Sequence, residues 1–445
     1  RTGRDGLRGA TFSSMTMDAK TGEVAGASVQ IGAPIVEKGL IDVIMLARDL
    51  SLYHAVTDCG AGGLSSAVGE MAAATGADVS LARVMLKYAG LAPWEIWLSE
   101  AQERMVLAVP ATALPQLEEL CRTYAVELTD IGWFTQSGRL IVRYGNACVL
   151  DLENDLLHHG IPQRRLDAIL PVPEVRPRPV PDFDLDYAQT LKSLISHPNI
   201  ASKAPVIRIY DHEVQGGTVL KPLTGVCDDG PSDGVVLKPI GTPGKTALIL
   251  GAGINPEFGK HNSYRMAWAV VDEAIRNSVA VGANPSRIAL LDNFCWGDPR
   301  NQETLGSLVD AVRGCHDAAL AYRSPFISGK DSLNNEYIGT DGKRHAIPPT
   351  LLISSLGVIP DYDQTVTMDL KCAGNPVFLV GDFKPHFQGS HFSLISGESF
   401  LDDVPEPAYQ APAIYDCLYK AIQKNYVQAC HDLSEGGLAI AAAEM

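Results

Sequence analysis

Two stretches at opposite ends of the chain are copies of one another. Residues 57–71 read TDCGAGGLSSAVGEM and residues 431–445 read HDLSEGGLAIAAAEM. Asp58 matches Asp432 at a spacing of 374, Gly62-Gly63-Leu64 matches Gly436-Gly437-Leu438, and Glu70-Met71 matches Glu444-Met445. Upstream, Gly9-Ala10-Thr11-Phe12-Ser13 resembles Gly389-Ser390-His391-Phe392-Ser393. Between the two matches, Ala33-Pro34 opens a helix-like stretch, as Ala411-Pro412 does. Three matches in the same order mean a duplicated domain, with a period far too long for a solenoid or a propeller.

The copies are unequal and something else lies between them. The first copy runs on from Asp58 to a proline-rich linker, PVPEVRPRPVPDFD, at 171–184; the second stops thirteen residues after Asp432. Alternating prolines favour an extended, semi-rigid spacer. The middle unit, 185–365, carries apolar runs at 246–250, 288–291 and 351–359, bounded by glycine and proline, which predict buried strands. The stretch 264–281 has helical periodicity. A chain of 445 residues exceeds the roughly 250–300 that one core accommodates, so several domains are expected. The reading is an α/β (α+β) chain: a first domain at 1–170, the linker, a different domain at 185–365, and a truncated second copy at 366–445. The first residue is Arg1 and the last is Met445 in an apolar stretch, so both ends read as cut.

Composition narrows the function. With 36 Lys and Arg against 52 Asp and Glu, the formal charge is −16, which repels nucleic-acid phosphates and anionic lipids. No apolar run reaches the ~20 residues that a membrane span needs. Nine scattered cysteines with no CxxC pair read as reduced thiols of a cytoplasmic protein.

Several motifs can carry chemistry. Asp58 and Asp432 each end an apolar segment and precede a Gly-Gly turn that opens an alanine-rich helix. Such glycines let backbone approach a ligand, the helix start favours phosphate, and the carboxylate suits Mg²⁺. The competing reading is an Asp helix cap. PFISGKDSLNNEY, 325–337, exposes Gly329, Lys330, Asp331 and Ser332 as a phosphate-cradling loop or an ordinary polar one; it lacks P-loop spacing. Asp292 stands just beyond a strand, where ligands gather in α/β folds, or else begins a turn. Glu273 and Asn277, four apart, share one helix face and offer oxygens to a metal or merely to solvent. Glu100, Gln102 and Arg104 precede a strand-like MVLAV, and Gln30 precedes a Gly–Ala–Pro turn. The histidines form no catalytic constellation; His158-His159 reads as surface loop.

RTGRDGLRGATFSS, VQIGAP, TDCGAGGLSSAVGEMA, LSEAQERM, YDHEVQGGTVLKPL, ALLDNFCWG, FISGKDSLNNEY and HDLSEGGLA resemble, in this order, motifs of the synthetase subunits of phosphoribosylformylglycinamidine synthases. These belong to the aminoimidazole ribonucleotide (AIR) synthetase superfamily. The small, stand-alone subunit type fits best, because nothing in the chain resembles a glutaminase.

The resemblance implies two A–B halves, of which this chain would hold B1, A2 and part of B2. It implies a ligase that uses ATP and Mg²⁺ to turn formylglycinamide ribonucleotide into the amidine, in purine biosynthesis. Ammonia would come from a separate glutaminase subunit, with a small bridging subunit completing the complex. Gln30, Glu100, Ala101, Gln102 and Ser332 would bind substrate. Asp292, Gly329 and Lys330 would bind ATP. Lys330 stands where other branches carry an Asn metal ligand, and an ammonium cannot ligate Mg²⁺. Asp58 would hold the catalytic metal; Asp233, Glu273, Asn277 and Asp432 would hold that of a second, structural nucleotide. The family's catalytic histidine is expected upstream of Arg1, so the chain alone is expected to be inactive. The alternatives are another ATP-using enzyme of the superfamily, or a nucleotide-binding scaffold without catalysis.

Overall fold

A computed structural model describes residues 1–7, 15–22, 30–170, 172, 185–209, 212–398, 400 and 404–445. The linker at 171–184, apart from residue 172, lies outside the described residues, as does the upstream repeat element at 9–13. The described chain divides into two compact units, residues 1–165 with 337–344, and residues 166–336 with 345–445.

In the first unit, α1 (Pro34–Asp49) starts with proline in its first turn, where the missing N–H costs nothing. Strand β1 (Ala55–Asp58) leads into the glycine turn and α2 (Leu64–Met71). Then come β2 (Ala77–Ser80), α3 (Pro93–Leu98), β3 (Met105–Ala108) and α4 (Leu114–Thr123). The unit closes with β4 (Gly132–Phe134), β5 (Arg139–Tyr144) and β6 (Ala147–Glu153). The expected MVLAV strand is β3, which pairs antiparallel with β1 and sets Asp58 opposite Met105. The other strands form a sheet of order β4-β2-β5-β6. Ala77 and Val79 alternate inward along β2, meeting Val68, Ile96, Leu140 and Val142 in the core. His158 and His159 end a short helix rather than lying in a loop.

The second unit is built on β7 (Thr218–Leu220), β8 (Val235–Leu237), β9 (Ala247–Ile254), β10 (Ala289–Trp296), β11 (Phe326–Leu333) and β12 (Thr350–Ile359). Their order is β11-β10-β12-β9-β8-β7, with β10 and β11 parallel and the other neighbours antiparallel. The expected helix at 264–281 is α5 (Ser263–Ala280), and α6 (Gln302–Tyr322) joins the parallel pair. Met266, Val270, Ala274 and Ile275 of α5 are buried against Ile249, Leu290 and Ile353 of the sheet. The helices that follow include α7 (Ala411–Gln423) and α8 (Gly437–Glu444).

Two expectations need correction. Asp292 lies inside β10, not beyond it, because β10 is bonded to β11 on one side and β12 on the other through Cys295. Pairing on both sides keeps a turn-like sequence extended. Likewise, much of the expected loop at 325–337 is strand β11, and Ser332 is buried at 2% exposure instead of exposed.

The duplication is written into the backbone. Gly62 and Gly63 have φ of +78° and +59°, and Gly436 and Gly437 have +84° and +63°. Other residues rarely adopt two such angles in succession. Each pair opens its helix, α2 or α8, and neither aspartate side chain caps it. The copies differ before the turn: β1 exists by pairing with β3, whereas Cys430 N–H donates to Thr367 O at 3.2 Å and 429–432 form no strand. All nine cysteines are free, and no described helix is long and apolar enough to cross a membrane.

Strand β9 meets α5 through glycine. A Cβ on Gly251 would stand 2.6 Å from Ala274 O, and one on Gly253 would stand 2.2 Å from Val270 O. Gly253→Ala should therefore lower stability by about 1–3 kcal/mol, since overpacked helix backbone must move. Ile249→Ala, at a site of 0% exposure, should cost about 2–5 kcal/mol. Urea midpoints of both variants against the parent check this.

Candidate functional site

Three groups of the expected residues are built, each within one unit. In the first unit, two carboxylates bracket the glycine turn. Asp58 Oδ1 accepts from Gly60 N–H at 2.7 Å, and Glu100 Oε1 accepts from Gly62 N–H at 3.1 Å. Gln30 Nε2 donates to Glu100 Oε2 at 2.8 Å, and Gln102 donates to Gln30 Oε1. Gln30, Glu100 and Gln102 thus form one polar network. Ala101 is buried, and its carbonyl accepts from Arg104 Nε at 2.8 Å. Arg104 also holds Ser99 O and Thr2 Oγ1, so it braces the segment that presents Glu100 and Gln102. Only glycine fits at 63, where a Cβ would fall 2.0 Å from Ser99 O.

In the second unit, Asp292 of β10 faces Gly329 of β11 across the parallel pair. A Cβ on Gly329 would lie 2.5 Å and 2.6 Å from the two Asp292 oxygens, so glycine there leaves the carboxylate its space. Burial pushes the Asp292 carboxyl up. Lys330 donates to Ser332 Oγ, joining the two expected ligand residues of β11.

The third group gathers residues scattered over two hundred positions. Asp233, Glu273, Asn277 and Asp432 all line one cavity of about 190 Å³, together with His431 and Glu435. Asp233 Oδ1 accepts from Asp432 N–H at 2.9 Å and from His431 Nδ1 at 2.8 Å, while its Oδ2 is buried without a partner. Glu273 accepts from Ile254 N–H at 2.9 Å. Asn277 Nδ2 donates to Ala252 O at 2.8 Å, and its Oδ1 is also buried without a partner. Asp233 and Asp432 each have a carboxylate oxygen within 4.8 Å of the other's. Two orphaned oxygens among carboxylates are what a hard, oxygen-seeking dication requires, so the residues fit Mg²⁺.

Crowding perturbs the acids. Burial, with the charges of Glu435 and Asp432, pushes Glu273 up to about 8. Burial also raises Glu435. Burial pulls His431 down, but its bonds to Asp233 and to Glu444 Oε2, at 2.9 Å, outweigh that and carry it up to about 10. His431 is therefore an imidazolium clamp between two carboxylates. Sequence reasoning missed this role, and it missed Glu435; the only available signal was their place inside the repeat beside Asp432. A larger, mostly apolar cavity of about 670 Å³ adjoins this one, sharing Ile200, Ser232, Asp233 and Glu444 as walls and adding Lys203.

Comparison with known proteins agrees with this architecture. The family described as AIR synthase related protein, C-terminal domain, matches residues 1–145 and 373–445, and its N-terminal domain matches 232–359. The phosphoribosylformylglycinamidine synthase subunit PurL of Picrophilus torridus is 34% identical over all of this chain and 58% of its own length. The chain thus spans less than two thirds of that relative. T. maritima PurL complexed with FGAR superposes with a TM-score of 0.63 at 27% identity, over 82% of this chain and 55% of that one. T. maritima PurL complexed with ADP gives 0.60 at 25% identity, over 76% and 52%. The chain belongs to the AIR synthase related proteins and carries both their N-terminal and their C-terminal domains.

Proposed function

We propose that this chain is the central part of a phosphoribosylformylglycinamidine synthase of purine biosynthesis, acting in the cytoplasm. The observation that carries the reading is the cavity where Asp233, Glu273, Asn277 and Asp432 converge, two of them with buried, unpartnered oxygens. The likeness to PurL proteins along the whole chain supports it. In domain terms the reading is B1 at 1–170, the linker at 171–184, A2 at 185–365 and part of B2 at 366–445.

In this reading Gln30, Glu100, Gln102 and the backbone around Ala101 bind formylglycinamide ribonucleotide, and Ser332 is assigned to substrate by motif resemblance alone. Glu100 and the two amides are already bonded to one another, so they meet the substrate's hydroxyls in a fixed arrangement. Asp292 and the open backbone at Gly329 take ATP, and Lys330 offsets phosphate charge. ATP phosphorylates the substrate's amide oxygen; ammonia from a partner glutaminase then displaces phosphate and leaves the amidine. Asp58 in one site, and Asp233, Glu273, Asn277 and Asp432 in the other, would hold Mg²⁺, which would supply positive charge to offset that of the phosphates. The second site would serve a structural nucleotide, with the carboxylate cavity taking its metal and the adjoining, mostly apolar cavity offering walls for its base.

The test is ammonia-dependent ADP formation by the natural protein that contains this chain. Formylglycinamide ribonucleotide should support turnover and formylglycinamidine ribonucleotide should not; the reverse selectivity would sink the assignment. Asp58→Asn should cut turnover by about two orders of magnitude. The second site carries its own pH signature. Glu273, with its pKa near 8, is protonated at neutral pH and must lose that proton to ligate a dication. Affinity for Mg–ADP should therefore rise with pH up to about 8, and Glu273→Gln should flatten the profile measured by calorimetry.

A further inference from the structure

Asp432 has one oxygen tied down and the other left over. Its Oδ2 receives Arg276 Nε at 3.1 Å and Nη2 at 3.0 Å, and also the hydroxyl of Ser434 two residues on. No hydrogen bond from a described residue reaches its Oδ1. Asp233 shows the same division, with Oδ1 engaged and Oδ2 buried and unpartnered. A carboxylate held by one oxygen presents the other in a set direction.

Arg276 can hold Asp432 only if it is itself held. Its Nη1 donates to Asp272 Oδ2, one helical turn earlier on α5. Asp272 Oδ1 in turn accepts two hydroxyls, from Tyr322 at the end of α6 and from Tyr415 Oη on α7 at 2.6 Å. The two phenol rings stack, with centroids 6.1 Å apart and planes inclined by 19°. Asp272, Tyr322 and Tyr415 are all buried. The chain of bonds runs from the packed interior to the cavity without a break, through three helices.

We propose that Arg276 is a positioning residue for Asp432, and that Asp272, Tyr322 and Tyr415 are the buried anchor that makes it one. This rests on the reading of the cavity as a cation site. It predicts an effect opposite in sign to simple charge. Removing a cation from beside a metal site should tighten dication binding by Coulomb attraction alone. Removing a positioning group should weaken it, by the ten- to hundredfold typical of partners that orient metal ligands.

The probe is Mn²⁺, titrated into the intact chain and followed by the loss of its free-ion EPR signal, with thermal unfolding of each sample as the check on folding. Wild type should bind and Asp432→Asn should not. Arg276→Met should bind about tenfold or more weakly, with Arg276→Lys in between because it keeps charge but not the fork. Tyr415→Phe alters no charge and almost no volume, so it remains informative should Arg276→Met fail to fold. It should weaken Mn²⁺ by roughly threefold, the scale of one lost hydrogen bond. Equal or tighter binding by Arg276→Met overturns the positioning role. Unchanged binding by Tyr415→Phe overturns the anchor. Mn²⁺ binding that is the same in wild type and Asp432→Asn overturns the cation site itself, and the inference with it.

Discussion

The second unit depends on how closely one helix lies against one strand. Gly251 and Gly253 leave α5 nowhere to go but onto the backbone of β9. At that separation, side chains of the helix reach the strand's peptide groups directly. Glu273 takes the N–H of Ile254 and Asn277 gives to the carbonyl of Ala252. These bonds use half of each polar head and aim the other half into the cavity. The same helix turns Asp272, one residue before Glu273, toward its neighbours α6 and α7, and Arg276, one residue before Asn277, toward Asp432. Two adjacent pairs with i,i+4 spacing thus do different work from a single helix: one lines the site and one braces it.

Electrostatics sets the character of this cavity. Asp233, Glu273, Asp432, Glu435 and Glu444 surround it, and Arg276 and His431 are the cations bonded among them. Carboxylates gathered in a partly dry space repel each other and lose hydration, which is why Glu273 and Glu435 are pushed toward their neutral forms. Such a cluster is costly as a purely structural device. A dication relieves that repulsion, and buried oxygens without partners at Asp233 and Asn277 are the atoms it would engage.

The two copies of the repeat show how one turn serves two surroundings. Both use consecutive glycines at positive φ and both start a helix there. Beside the first, Asp58 makes a local turn with Gly60, and Glu100 arrives from a distant segment to take Gly62 N–H. Beside the second, Asp432 is locked by Arg276, and its own N–H is taken by Asp233.

Much of this was legible beforehand because it is local. The repeat, the glycine turns, the strands of the middle unit and the helix at 264–281 follow from short-range pattern, and glycine at positive φ has few substitutes. Motif resemblance named Gln30, Glu100, Asp233, Glu273, Asn277 and Asp432 individually. Pattern failed where pairing overrode it: Asp292 and Ser332 read as turn and loop, but Asp292 is held extended by strands on either side and Ser332 by its parallel pairing with β10. It also failed where bonding is long-range. The clamp of His431 on Asp233 spans 198 residues, and that of Arg276 on Asp432 spans 156. By itself, then, the sequence determined which segments repeat, turn and coil, and which residue types were on hand for phosphate and metal. Only the tertiary structure decided which of each carboxylate's two oxygens is bound and which is open, because that depends on partners from remote segments whose approach no local periodicity encodes.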